Sequence, residues 1–372
     1  MNIPGEQTQN KPDYAPIFNQ RENYKFRDIA DTPRKYNALI DRYQSIRPQP
    51  DDFAGKKMYS PKSIKEDNQT VEYKKQYHDK DEEEVDAGAL ESMLYYMTQQ
   101  GQLLEGAFSE PSSEYDDYLH ATDLIIGIPR PTFQRDAVAS IDATTATNYN
   151  GKTDSIVRKF EHAREKGCRT KDGKVAIPYT ARVDYYSHGS TKTKLSRIPH
   201  YTLGVSPQYI QRLVDQFDLP ANGIDISNIP NPHVQAKLLT ELYYQGRAGY
   251  YSCQLAEYDA ETAESISEIK QAAGMHKEFA DHASKELQRL LGVKNPKNLS
   301  EAIHKFFRSE IQLSDGNDPT FLGITNESLR ALNAAIKDLK DRKDAAKAAN
   351  IAQAAKHTSS VLQGGNPKPA TA

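Results

Sequence analysis

Hydrophobic positions fall into differently patterned stretches along the chain. Up to about residue 80 no helical or alternating period is sustained, and Pro, Asn, Gln, Lys, Asp and Tyr dominate. Within that stretch Arg34–Arg47 carries a face of Tyr36, Leu39, Ile40 and Tyr43 that fits one short amphipathic helix. The remainder is expected to be a disordered arm, too poor in apolar side chains to build a core. From Glu82 to Gln100, Leu90, Met93, Leu94 and Met97 recur at three and four, which predicts a helix with one buried stripe, stopped at Gly101. Thr122–Ile128 and Ala137–Thr147 are short and rich in β-branched residues, and predict strands. Lys152–Lys166 predicts a basic helix, Lys174–Tyr186 a strand or hairpin arm, and Ile198–Val205 a third central strand. Ser206-Pro207 supplies an N-cap and a first-turn proline for a helix bearing Ile210, Leu213, Val214 and Phe217.

From Pro232 onward the pattern is helical throughout. Val234–Glu257 is tyrosine-rich and interrupted by Gly246 and Gly249, and Ala260–Leu291 ends on Gly292 as a C-cap. Leu299–Phe307 and Leu329–Lys356 complete the series, and the last residues predict a frayed tail. The order helix, strand, strand, helix, strand, helix is that of an α/β fold with a small mixed sheet flanked by helices. The expected division is a mostly disordered arm over 1–80, an α/β core over 81–218, an all-α extension over 219–360 and a disordered tail over 361–372.

Composition narrows the class. Hydrophobic residues make up 37% of the 372 residues, below the usual share of a globular domain, which confines the core to part of the chain. The longest apolar run, Leu124–Ile128, is far short of the roughly 20 residues that span a bilayer. The opening residues Met1–Glu6 have neither the basic nor the apolar region of a signal peptide. Two cysteines, Cys168 and Cys253, provide neither a disulfide framework nor a cysteine zinc site. His276 and His282 lack the i, i+4 spacing of a helical zinc pair. The expectation is a cytoplasmic protein with no membrane partner.

Charge is unevenly placed. Asp81–Asp123 holds twelve acidic residues and no Lys or Arg, while Lys152–Arg197 holds twelve basic residues against five acidic ones. Carboxylates gathered for a metal beside cations gathered for phosphate would give this pattern, as would two oppositely charged solvated faces. Within the acidic block Glu91 lies on the first helix and Asp123 opens the first strand. Asp142 interrupts the apolar alternation of the second strand. Neighbouring strands lie about 4.8 Å apart, so acids at matching ends can share one divalent cation. An acid inside an apolar alternation needs a partner, because burying it alone costs several kcal/mol or shifts its pKa.

Gly88-x-x-Glu91, Thr122-Asp123-Leu-Ile-Ile and Ser140-Ile-Asp142-Ala-Thr144 make residues 82–218 similar to the PD-(D/E)XK nuclease superfamily. The resemblance implies a restriction-endonuclease-like fold that hydrolyses phosphodiester bonds in DNA. It implies Mg²⁺ or Mn²⁺ held by Glu91, Asp123 and Asp142, with Asp117 facing the site. The family's lysine two residues after the second-strand acid is replaced by Thr144, which would position water. Lys159 or Lys152 on the next helix would supply the cation, and Lys152, Arg158 and Lys166 would follow the phosphate backbone. Three further expectations stand beside this one: a catalytically inactive nuclease fold used as a binding module, a homodimer, and a protein partner bound through the arm or the C-terminal helices.

Overall fold

A computed structural model describes residues 32–76, 82–131, 135–145, 177, 179–205, 210, 232–258, 260, 262–313 and 323–363. Among them are eight α-helices and five strands. The helices are α1 (Thr32–Gln44), α2 (Pro61–Lys75), α3 (Glu82–Gln99), α4 (Glu114–His120), α5 (Pro232–Glu257), α6 (Ala263–Leu290), α7 (Leu299–Leu313) and α8 (Gly323–Gln363). The strands β1 (Phe108–Pro111), β2 (Leu124–Ile128), β3 (Ala137–Thr145), β4 (Thr180–His188) and β5 (Thr191–Val205) form one mixed sheet in the order β1-β2-β3-β5-β4. β1 pairs antiparallel with β2 and β2 with β3, β5 returns parallel to β3, and β4 pairs antiparallel with the first part of β5. No helix of the described residues is long and apolar enough to cross a membrane.

Alternation along the strands sorts the sheet into two faces. Leu124, Ile126 and Ile128 of β2, Ala139, Ile141 and Ala143 of β3, and Tyr201, Leu203 and Val205 of β5 join the main core. Against them pack the stripe of α3 and the inner faces of α5, α6 and α8. The opposite face holds a smaller cluster of Ile125, Val138, Val183, Tyr186 and Ile198. Gly127 stands in an otherwise bulky strand because Phe108 of β1 lies across it; a Cβ there would sit 2.0 Å from the Phe108 ring.

The stripe of α3 is buried as its spacing predicts, and Gly101 follows the helix with φ +68°. Gly292 ends α6 at φ +65°, where the Val293 N–H donates to Gln288 O at 2.8 Å, a Schellman-type closure. The helix over Val234–Glu257 is not interrupted. Gly246 and Gly249 lie inside α5 because α6 crosses there, and a Cβ on Gly249 would come 2.4 Å from the His276 ring. The basic helix expected at Lys152–Lys166, and all but Ile210 of the helix expected after Ser206, lie outside the described residues.

The expected disordered arm needs correction over residues 32–76. Besides α1 it contains a 3₁₀ turn at Pro50–Phe53 and the helix α2. Ser60 caps α2 by accepting the Ser63 N–H at 3.0 Å, with Pro61 in the first turn. Phe53 and Tyr59 are buried with Ile64 and Tyr185, and their rings lie 5.1–5.2 Å from that of Tyr185. The Tyr59 hydroxyl donates to Asp184 O at 2.6 Å. A few aromatics that dock on β4 do what a long apolar stripe does elsewhere.

Candidate functional site

Asp142 lies in the middle of β3 among Ser140, Thr144 and the core-facing alternates Ile141 and Ala143. The alternation puts Ser140, Asp142 and Thr144 on the face away from the main core. Parallel pairing with β5 sets Ser140 against His200 and Asp142 against Thr202. The Ser140 hydroxyl lies 2.7 Å from His200 Nδ1, and Thr202 Oγ1 donates to Asp142 Oδ2 at 3.4 Å. Asp142 thus has the partner its burial requires.

Asp123 immediately precedes β2. Its N–H donates to Ile141 O at 2.8 Å, and its Oδ2 accepts the Ala143 N–H. It is therefore bonded to both residues that flank Asp142, and the two acids are neighbours. On its other side the Asp123 carbonyl accepts from the Ser112 N–H at 3.2 Å and from the Tyr43 hydroxyl at 2.7 Å.

Tyr43 brings further charges to the same place. Burial drives its hydroxyl pKa well above the usual value, and Glu91, Asp123 and Asp117 push it the same way, with the Arg47 guanidinium opposing them. Glu91 of α3 is buried, and Asp117 of α4 is held at this end of the sheet by Arg47, whose Nε donates to Ser112 O. Arg47 Nη2 lies 2.9 Å from Asp117 Oδ2. Thr144 is buried on β3 with its hydroxyl 3.4 Å from Thr145 O. Lys152, Arg158, Lys159 and Lys166 lie outside the described residues.

A second cluster joins α4 to β4. Ser113 caps α4 through the Asp116 N–H at 3.1 Å, a Ser113-x-x-Asp116 pattern legible in the sequence. The Asp116 carboxylate accepts the N–H groups of Asp184 at 2.6 Å and Tyr185 at 2.9 Å and the Ser113 hydroxyl at 2.7 Å. Asp184 in turn faces His120 Nε2 at 3.0 Å, Arg182 Nε at 2.9 Å and Lys194 Nζ at 3.0 Å. Among the described residues, Asp116, His120 and Asp184 are the group of three whose ligand atoms all lie within 4.8 Å of one another; Glu91, Asp123 and Asp142 are not that group. In geometric terms the three can hold a metal ion. Yet Arg182 and Lys194 already supply the charge an ion would bring, and three donors occupy Asp116. The cluster acts as a clasp between helix and strand.

The clasp has a pH signature. Burial alone would raise the Asp184 carboxyl, but its bonds to His120, Arg182 and Lys194 outweigh burial and hold it well below the usual carboxylate range. A carboxyl depressed by folding adds stability above an unfolded value of about 3.9 and loses it as pH falls further. Asp116 works in the opposite sense: burial raises it, and the Asp184 N–H, Ser113 and the Tyr185 N–H offset only part of that. Asp184→Asn is expected to melt below the native protein near neutral pH, with the gap closing below about pH 4. Melting curves taken across that range decide it; a gap that does not change with pH would remove Asp184 ionisation from the account.

The described cations of the basic block are engaged within the protein. Arg182 and Lys194 bind Asp184, Lys192 donates to Asp52 O and Arg197 pairs with Glu268. Comparison of the chain with known protein families, with curated proteins and with solved structures gives no match.

Tyr43, Arg47, Asp116, His120, Asp184 and His200 were not singled out by motif reading. The Ser113-x-x-Asp116 cap gives a signal for Asp116. Tyr43 and Arg47 give none, because their partners lie 65–80 residues away.

Proposed function

We propose that the protein is a metal-dependent nuclease that hydrolyses phosphodiester bonds in DNA. The observation that carries this reading is the pair Asp123 and Asp142, held side by side because Asp123 bonds both neighbours of Asp142. The order of α3, three antiparallel strands and a return strand parallel to β3 agrees with the restriction-endonuclease-like fold that the sequence resemblance implies.

The donor chemistry fits the ion. Asp123 and Asp142 offer hard carboxylate oxygens, which suit Mg²⁺ or Mn²⁺ completed by water and substrate phosphate, while Glu91 does not close with them into a three-ligand group. When bound, such an ion lowers the pKa of an attacking water and neutralises charge developing on phosphorus. The chain's own groups hold the geometry. Tyr43 and Ser112 fix the Asp123 backbone, Thr202 orients Asp142, and Thr144 lies one alternate residue further along the strand. Hydrolysis joins the water oxygen to phosphorus and breaks one P–O ester bond, the departing oxygen taking a proton.

The test is plasmid cleavage by the full chain with Mg²⁺ or Mn²⁺, repeated with a chelator. Cleavage that the chelator stops supports the reading. No cleavage with DNA binding retained favours the inactive binding module, for which Thr144 in the lysine position is the specific observation. Neither cleavage nor binding would remove DNA from the account.

A further inference from the structure

The replacement of the motif lysine by Thr144 leaves the second strand without a cation beside Asp142. Arg47, just past α1, is buried at the same end of the sheet, its side chain only 3% exposed. Its Nε donates to Ser112 O at 3.0 Å. Its Nη2 reaches Ser113 O at 3.3 Å, Ser112 Oγ at 3.4 Å and Asp117 Oδ2 at 2.9 Å. Nη1 takes part in none of these bonds with described residues. The segment it grips is the one whose Ser112 N–H bonds the Asp123 carbonyl, so the guanidinium is anchored one residue contact away from the acid pair.

We infer that Arg47 is the cation of the candidate site, presenting Nη1 to a non-bridging oxygen of the phosphodiester in place of the absent lysine. The inference rests on the nuclease reading above and adds a residue to it. Three features argue for it. A guanidinium pinned through Nε and Nη2 has its remaining edge preorganised, so the donor needs no reorganisation when charge develops on phosphate oxygens. Arginine's planar fork can hold protein acceptors with one edge and an oxyanion with the other, which a lysine ammonium does not do in a fixed direction. Its charge is also secure: burial works against it, but Asp117, Tyr43 and Glu91 more than compensate and hold its pKa above the usual arginine value.

The experiment compares the native chain, Arg47→Lys, and Arg47→Lys combined with Thr144→Lys. Plasmid cleavage in Mn²⁺ is the first readout, and binding of a short DNA duplex in Ca²⁺ is the second. Arg47→Lys gives up the Nε bond to Ser112 O and should melt somewhat below the native protein while staying folded, and it should cleave about 100–1000-fold more slowly, the loss that follows removal of one preorganised donor. Restoring the motif lysine at 144 should recover at least about tenfold of that loss. A role confined to folding would give a cleavage loss that is not rescued from position 144, and that result overturns the inference, as does native-rate cleavage by Arg47→Lys. If the native protein does not cleave at all, the nuclease reading fails and the duplex decides Arg47 alone. Weaker binding by Arg47→Lys keeps it as a phosphate donor; equal binding by both chains, or binding by neither, removes it.

Discussion

On the nuclease reading proposed above, Asp142→Asn is expected to slow metal-dependent cleavage about a thousandfold. The size follows from what a metal-held oxygen supplies, several kcal/mol of transition-state charge stabilisation, at about 1.4 kcal/mol per factor of ten. Asparagine is the informative replacement because it keeps the shape and an acceptor for the Thr202 hydroxyl, 3.4 Å away in the native protein, while removing the charge. The fold should therefore survive. Cleavage rate and melting temperature, measured on the same preparation, separate the two roles open to Asp142. Loss of cleavage with an unchanged melt places it in the chemistry. A steep fall in melting temperature with cleavage retained would assign it to the buried polar row of Ser140, Thr202 and His200, and would sink the nuclease reading at its central residue.

That Asp142 could be picked out at all reflects what periodicity encodes. An acid inside the apolar alternation of β3 conflicts with burial, and the conflict is visible without coordinates. Its nearness to Asp123 was legible too, since two short strands in succession tend to pair and acids at matching ends then meet. α3, α5, α6 and β3 were legible because each buries a continuous stripe or a whole face. α2 was missed because only Ile64 and Val71 mark its buried side, although Ser60-Pro61 carries the same cap signature that was read at Ser206-Pro207. α4 is seven residues of mostly polar character, fixed by the Ser113 cap and by Asp116 bonds to β4, so hydrophobic rhythm carried no sign of it. β1 is four residues long and owes its place to pairing with β2.

The site divides along the same line. Glu91, Asp117, Asp123 and Asp142 could be named because acidic residue types in ordered elements form a pattern along the chain. Arg47 and Tyr43 could not, because their placement depends on a segment of low hydrophobic content folding back onto Ser112 and Asp123. Local sequence carries no information about which of many tyrosines and arginines will make that return. The fold supplies it through the Phe53, Tyr59 and Tyr185 cluster, which holds the segment onto β4.

The largest stability effect is expected at Lys237, which together with Glu241 and Gln245 closes an open edge of the sheet. β4 pairs with β5 only as far as Pro199, so beyond that point the outward backbone groups of β5 have no strand partner among the described residues. Gln245 Oε1 accepts the Thr202 N–H at 2.9 Å and its Nε2 donates to Thr202 O at 2.6 Å. Glu241 Oε2 accepts the Gly204 N–H at 3.0 Å, and Lys237 Nζ donates to Gly204 O. Helix residues four apart advance about 6 Å, and alternate strand residues advance about 6.6 Å, so the side chains at 237, 241 and 245 keep step with the strand. Lys237 and Glu241 also form an ion pair of 2.5 Å, fully buried on both sides, and Thr325 of α8 donates to Glu241 at 3.0 Å. Removing one partner of such a pair leaves an uncompensated buried charge and costs about 3–5 kcal/mol. Lys237→Ala should lose that much in urea unfolding, whereas Lys237→Met with Glu241→Gln should lose clearly less, because no buried charge is left behind. The loss should also depend on pH. Burial already raises the Glu241 carboxyl, with Lys237 the main group pulling it down. Without Lys237 the folded state takes up a proton more readily than the unfolded chain, so the variant recovers stability as pH falls from neutrality. A Lys237→Ala chain within about 0.5 kcal/mol of native, the range of an ordinary surface substitution, would show that helix α5 covers the strand edge without the pair contributing to it.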